Sequence, residues 1–193
     1  LAHPPHDAEF WEPSSYQGSF AQMTVPAFHV TGWWDGDQPG ALQDFPGMRR
    51  GAKTERALSG QLLVVGPWTH FFNSARAMGD TDYGAEAVID LDARILRFFD
   101  RYLKGIENGI EGEAHVFAFT MGTNRWHAEE DWPLPQTAFT KLHLRSHGNA
   151  SRFGGDGRLA LAPGGGSAAS DSYRYDPMNL PELDVDFTDL SGS

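Results

Sequence analysis

A chain of 193 residues, 40% hydrophobic and 12% aromatic, can bury a real core, and 21% charged residues with no block of one sign argue against wholesale disorder. With 15 Lys and Arg against 26 Asp and Glu, the net charge is −11 and no basic stripe offsets it, so neither nucleic acid nor an anionic membrane is an expected partner. The lack of cysteine removes disulfides, thiolate nucleophiles and Cys-based zinc sites, and no run approaches the roughly 18 to 20 apolar residues of a membrane span.

Residues 1–20 mix Pro, Ser and aromatics without a sustained period, which predicts a loop with one helical turn around residues 7–11. Trp11, Tyr16 and Phe20 there need a body to pack on, so the stretch reads as the middle of something larger. VPAFHVTG, residues 25–32, is short, apolar and β-branched, opens with Pro and closes at Gly, as a buried strand does. Beyond the turn WWDGDQPG, Leu42, Phe45 and Met48 recur every three residues and predict a helix over 41–50, with Pro46 working against a straight one. QLLVVGP comes next as a second strand, with the continuous apolar run that parallel sheets bury on both faces. Val88, Leu91, Ile95, Phe98 or Phe99, and Tyr102 then mark a long amphipathic helix over 85–104, stopped by Gly105.

Strand, helix, strand, helix implies an α/β layer architecture. The pattern changes near Asn108–Gly109: HVFAFTMG and TAFTKLHLRS alternate, turn-rich GTNRWHAEEDWPLP lies between them, and GGDG and PGGGSAAS interrupt the C-terminal third. An antiparallel β module is expected from residue 111 onward.

Asp35 directly follows the first predicted strand, and His70 ends GPWTH just past the second. In open α/β sheets the loops at the carboxyl ends of the strands converge on one site, so these two residues fit the orienting acid and the base of a catalytic triad, in the acid-before-histidine order of α/β-hydrolases. Histidine suits the base because its ordinary pKa lies near neutral pH. Gly32 and Gly36 would let the chain turn around Asp35, and Trp33, Trp34 and Trp68 would shape an acyl pocket. Taken singly, Asp35 reads as a helix N-cap and His70 as a satisfied loop histidine; the catalytic reading rests on the two together.

The motifs HPPHDAEFW, VPAFHVTGWWDGD, LLVVGPWTH, RFFDRYLKG and FTMGTNRWHAEEDWP occur in that order over residues 3–133, and YDPMNLP extends the pattern to about 181. They resemble the cocaine esterase and X-prolyl dipeptidyl-peptidase family, which includes α-amino-acid ester hydrolases and glutaryl-cephalosporin acylase-like enzymes. The resemblance implies the C-terminal part of an α/β-hydrolase sheet followed by an incomplete jelly-roll-like domain: residues 1–20 as the end of a cap region, 21–110 as the hydrolase part, 111–193 as the β domain. It places the triad acid on Asp35 and the triad histidine on His70, and implies a small-molecule or peptide ester or amide substrate, no cofactor and no metal. The family's nucleophilic serine and oxyanion tyrosine lie upstream, so the resemblance implies a missing N-terminal half as partner and a chain inactive alone. Self-association and a cytoplasmic or secreted setting are both left open.

Gly165–Gly166–Ser167–Ala168–Ala169 approaches a nucleophile elbow in composition, but neither the required preceding strand nor the following helix is predicted there. Where α-amino-acid ester hydrolases carry a pair of acidic residues that bind a substrate ammonium, this chain reads Asp37 and Gln38, half the pair. His3, His6 and Asp7, and likewise His127, Glu129, Glu130 and Asp131, lack the spacing of a metal site. Trp126 and Trp132 are expected to pack a domain interface; as exposed platforms they would instead make the β region a carbohydrate- or peptide-binding module, the alternative to a hydrolase.

Overall fold

A computed structural model describes residues 7–164, 169–176 and 178. In chain order the elements are α1 (Ala8–Trp11), β1 (Ala27–Gly32), α2 (Gln38–Gly51), α3 (Glu55–Ser59), β2 (Gln61–Gly66), β3 (Ala77–Met78), β4 (Thr81–Asp82), α4 (Leu91–Lys104), β5 (Val116–Thr120), β6 (Arg125–Glu129), β7 (His143–Arg145) and β8 (Arg158–Ala160). Short 3₁₀ turns fall between several of them.

The main sheet has the order β1-β2-β5-β6. β1, β2 and β5 are parallel, with Ala27 opposite Gln61 and Gly32 opposite Gly66, while β5 and β6 form an antiparallel hairpin. Alternation along β2 feeds two cores. Leu63 and Val65 join Phe45 of α2 with Val116 and Ala118 of β5 on one face; Val64 joins Leu91 and Ile95 of α4 with Trp68 on the other. Helices on both faces of a mainly parallel sheet are the α/β layering expected from the chain.

Local chemistry accounts for most boundaries. Asp7 takes the Phe10 N–H and starts α1 where one helical turn is expected. α2 runs through Pro46, which forfeits one backbone bond, because Phe45 and Met48 anchor it in the core. α4 begins at Leu91 and not near Ala85, since the Asp90 carboxylate accepts the Ala93 N–H at 3.0 Å and caps it. Its end is as expected, with Gly105 at φ 71° closing the last turn onto the Arg101 carbonyl.

The change of pattern at Asn108–Gly109 is a switch from helix to strand and not a break between compact units. β5 pairs in parallel with β2, and the segment expected to be only a turn contains β6, whose Trp126 stacks on Phe117 at 4.5 Å and 4°. One compact unit therefore runs through Pro135 and a second begins at Gln136. In that second unit TAFTKLHLRS forms strand only at β7, which pairs antiparallel with β8.

Candidate active site

The carboxyl ends of β1 and β2 lie side by side, and their following turns are tied by backbone bonds from Trp33 N–H to Gly66 O and from Trp34 N–H to Trp68 O, each 2.9 Å. Gly32 permits this. A Cβ there would lie 2.0 Å from the Trp68 carbonyl oxygen, so only glycine allows the second turn to cross so closely. Gly36 needs no such freedom, having nothing within 4 Å of a built Cβ and no left-handed φ.

Asp35, at the first turn, is buried, and its carboxylate takes three hydrogen bonds. Thr31 Oγ1 donates to Oδ2 at 3.2 Å, the Asp37 N–H donates to Oδ1 at 3.0 Å, and His70 Nδ1 meets Oδ1 at 3.1 Å. The Asp37 contact is the cap-like bond that a plain turn aspartate would make, but the His70 contact goes beyond capping. Because a carboxylate only accepts, Nδ1 carries a proton, and in the neutral ring Nε2 on the far side keeps its lone pair. The His70 side chain is 63% exposed against 4% for Asp35, so the ring stands between a buried anion and open solvent. No serine hydroxyl among the described residues hydrogen-bonds this ring, and Ser167 lies outside them.

The flanking residues divide. Asp37 is exposed, with Oδ2 3.8 Å from His70 Nδ1. Trp34 is half-exposed and held by its indole N–H on the Tyr83 hydroxyl at 3.1 Å. Trp33 donates to the Phe119 carbonyl at 2.6 Å and walls a cavity of about 620 Å³ with Phe119, Met121, His127 and Trp132. Trp68, expected in the substrate pocket, is core instead: it is 2% exposed, donates to the Ala87 carbonyl at 2.7 Å, and its ring covers Gly66 so closely that a Cβ there would lie 2.2 Å away.

Among the described residues, the His and carboxylate groups close enough to share an ion are Asp35, Asp37 and His70 themselves, within 4.8 Å of one another. The other suspected ligands have different contacts. Asp7 caps α1, His3 and His6 lie outside the described residues, and Asp131 pairs with Arg49 and Arg50 at 3.6 and 3.3 Å. Trp126 packs between Trp68, Phe117 and Phe119 and not on a platform.

Three supporting residues escaped the sequence reading. Tyr83 lies in no motif, and Thr31 lies inside VPAFHVTGWWDGD without a signal of a role of its own. Asn73, at φ 59°, clamps the loop after His70 by accepting the Ile89 N–H at 2.7 Å and donating to the Ile89 carbonyl at 2.6 Å. Its only signal was the tolerance of Asn for left-handed backbone.

Comparison with known proteins gives consistent likenesses. The X-Pro dipeptidyl-peptidase (S15) family is matched over residues 1–72. The cocaine esterase of Rhodococcus sp. (strain MB1 Bresler) is 34% identical over 185 residues, 94% of this chain and 30% of that protein. Among solved structures, an aminopeptidase from a marine sediment archaeon, Thaumarchaeota archaeon, superposes with a TM-score of 0.59 at 24% identity, covering 83% of this chain and 25% of that one. An α-amino acid ester hydrolase gives 0.54 at 23% identity, covering 83% and 26%. At those identities the two structures speak for the fold, and the chain spans about 30% of the length of the esterase it matches.

Proposed function

The chain is related to the cocaine esterase and X-prolyl dipeptidyl-peptidase family of hydrolases, and from that premise we propose that it supplies the acid and the base of a serine hydrolase acting on acyl esters or amides. The observation that carries the reading is the 3.1 Å contact between a buried Asp35 and an exposed His70 on adjacent turns at one rim of a parallel sheet. A serine in a part of the protein outside this chain completes the triad.

The chemistry follows from the two ring nitrogens. His70 Nε2 removes the hydroxyl proton as the serine oxygen attacks the substrate carbonyl carbon, and Asp35 holds the Nδ1–H and stabilises the imidazolium. The tetrahedral intermediate collapses, its bond to the leaving group breaks, and His70 returns the proton to the departing alcohol or amine. Water then repeats the sequence on the acyl-serine and frees the carboxylic acid. Trp34 and Asp37, exposed beside His70, are the side chains here best placed to meet substrate. The antiparallel β7–β8 pair supports reading the second unit as part of a jelly-roll-like domain.

The test is kinetic. In the polypeptide that includes the serine, His70→Ala and Asp35→Asn should each lower kcat on a p-nitrophenyl ester by about 10⁴-fold with little change in KM. The isolated chain should take no fluorophosphonate label. Labelling of the isolated chain, or a His70→Ala enzyme of normal kcat, contradicts the reading.

A further inference from the structure

The turn after β2 carries two side chains that the proton transfer itself does not use. Phe71 and Phe72 follow His70 directly, and both rings lie beside its imidazole: Phe71 at 6.3 Å between ring centroids, edge-on at 80°, and Phe72 at 5.8 Å, tilted by 55°. These are the separations of interacting aromatic rings. The two side chains are nevertheless 43% and 37% exposed, so each leaves much of its apolar surface at the rim where the base stands.

The loop that holds them is stiff. The Phe71 N–H donates to Thr69 Oγ1 at 3.3 Å, and the Ser74 hydroxyl donates to the Phe71 carbonyl at 2.7 Å. One residue past Phe72, Asn73 binds both backbone groups of Ile89, at 2.7 and 2.6 Å, and Ile89 packs against the core of Val64, Trp68 and Leu91. A ring fixed next to the base before a ligand arrives gives up little conformational freedom on contact, which is the condition under which an exposed aromatic binds well.

Triad geometry decides which part of a substrate meets these rings. The histidine returns its proton to the departing alcohol or amine, so the leaving atom has to come within roughly 2.6–3.2 Å of Nε2. The Nδ1 side of the imidazole is taken by Asp35, with Asp37 Oδ2 at 3.8 Å. A substituent one or two bonds beyond the leaving atom therefore comes to the neighbourhood of Phe71 and Phe72, whereas the acyl chain lies on the serine's side of the carbonyl.

We propose that Phe71 and Phe72 form the leaving-group subsite of this hydrolase and select esters and amides whose alcohol or amine carries an aromatic ring. This rests on the serine-hydrolase reading above. A flat ring is favoured over an aliphatic group because it can lie edge-to-face or offset against two phenyls already set at an angle to the imidazole.

The experiment compares benzyl acetate with methyl acetate in the polypeptide that includes the serine. The acyl group is shared and the two alcohols are almost equally acidic, so intrinsic reactivity is matched and the ratio of kcat/KM values reads the leaving-group contacts. In wild type the ratio should favour benzyl acetate by at least about tenfold. Phe71→Ala/Phe72→Ala should lower that ratio by at least about fivefold, and Phe71→Leu/Phe72→Leu, which keeps most of the apolar volume and so guards against collapse of the loop, by about threefold. Equal losses on both esters would make the phenyls mere supports of the loop and overturn the subsite, as would a wild-type ratio near one. Hydrolysis that survives His70→Ala would overturn the serine-hydrolase reading and the subsite with it. Hydrolysis lost in His70→Ala, with a ratio indifferent to both Phe71 and Phe72 variants, would overturn the subsite alone.

Discussion

Asp35 is an anion taken almost wholly out of water, and such a group is tolerated only when hydrogen bonds replace its hydration. Thr31, the Asp37 amide and His70 do so, and of these only the Thr31 hydroxyl can be removed without disturbing the rim backbone or the histidine. Thr31→Val should therefore lower stability by about 1–3 kcal/mol, with Thr31→Ser restoring most of it, as read from urea midpoints. His29, on the neighbouring part of β1, supplies a pH test. Burial lowers its pKa, with the Gln61 hydrogen bond and the Asp44 charge working the other way. On acidification the unfolded chain takes up this proton first, near pH 6.5, while the folded chain lags, so stability falls below about pH 6.5 and is unaffected by this group above it. The urea midpoint should drop between about pH 7.5 and about pH 5.5, and His29→Gln should flatten that drop.

Strands and helices place these side chains through a pair of glycines. Gly32 and Gly66 are in register at the ends of β1 and β2, and Trp68 folds back against both, its carbonyl over the first and its ring over the second. Gly66→Ala should cost about 1–3 kcal/mol through overpacking, because the indole is locked by its bond to Ala87 and cannot retreat. Under the proposed serine-hydrolase reading, the same change in a polypeptide that includes the serine should reduce kcat, since Trp68 sits two residues before His70 and its displacement moves the imidazole. A Gly66→Ala protein of wild-type Tm would count against this packing. A second glycine notch acts similarly outside the rim: Phe20 fills the space above Gly47, and Tyr16 bonds the buried Asp44, which docks residues 16–20 on α2.

For the chain as a whole, the unit boundary follows from strand pairing and not from composition. Because β5 and β6 extend the sheet, cleavage within 110–130 should be slow, whereas residues 136–142 are exposed and carry no regular structure. Brief trypsin treatment should cut first after Lys141, and the fragment running through the sheet should retain its near-ultraviolet aromatic signal. Early cleavage after Arg125 would contradict the pairing. The sequence by itself determined the elements whose signals are local: the apolar runs of β1 and β2, the period of α4 with its Gly105 stop, and the strand-end positions of Asp35 and His70. Those depend on backbone preference and on which face of an element is apolar, both written within a few residues. Tertiary structure alone decided that β5 joins the main sheet, that Trp68 turns inward while Trp34 stays at the surface, and that Thr31 and Tyr83 brace the rim. Each of these is a choice among pairings between residues far apart in sequence, selected by which combination buries apolar surface and satisfies backbone groups together.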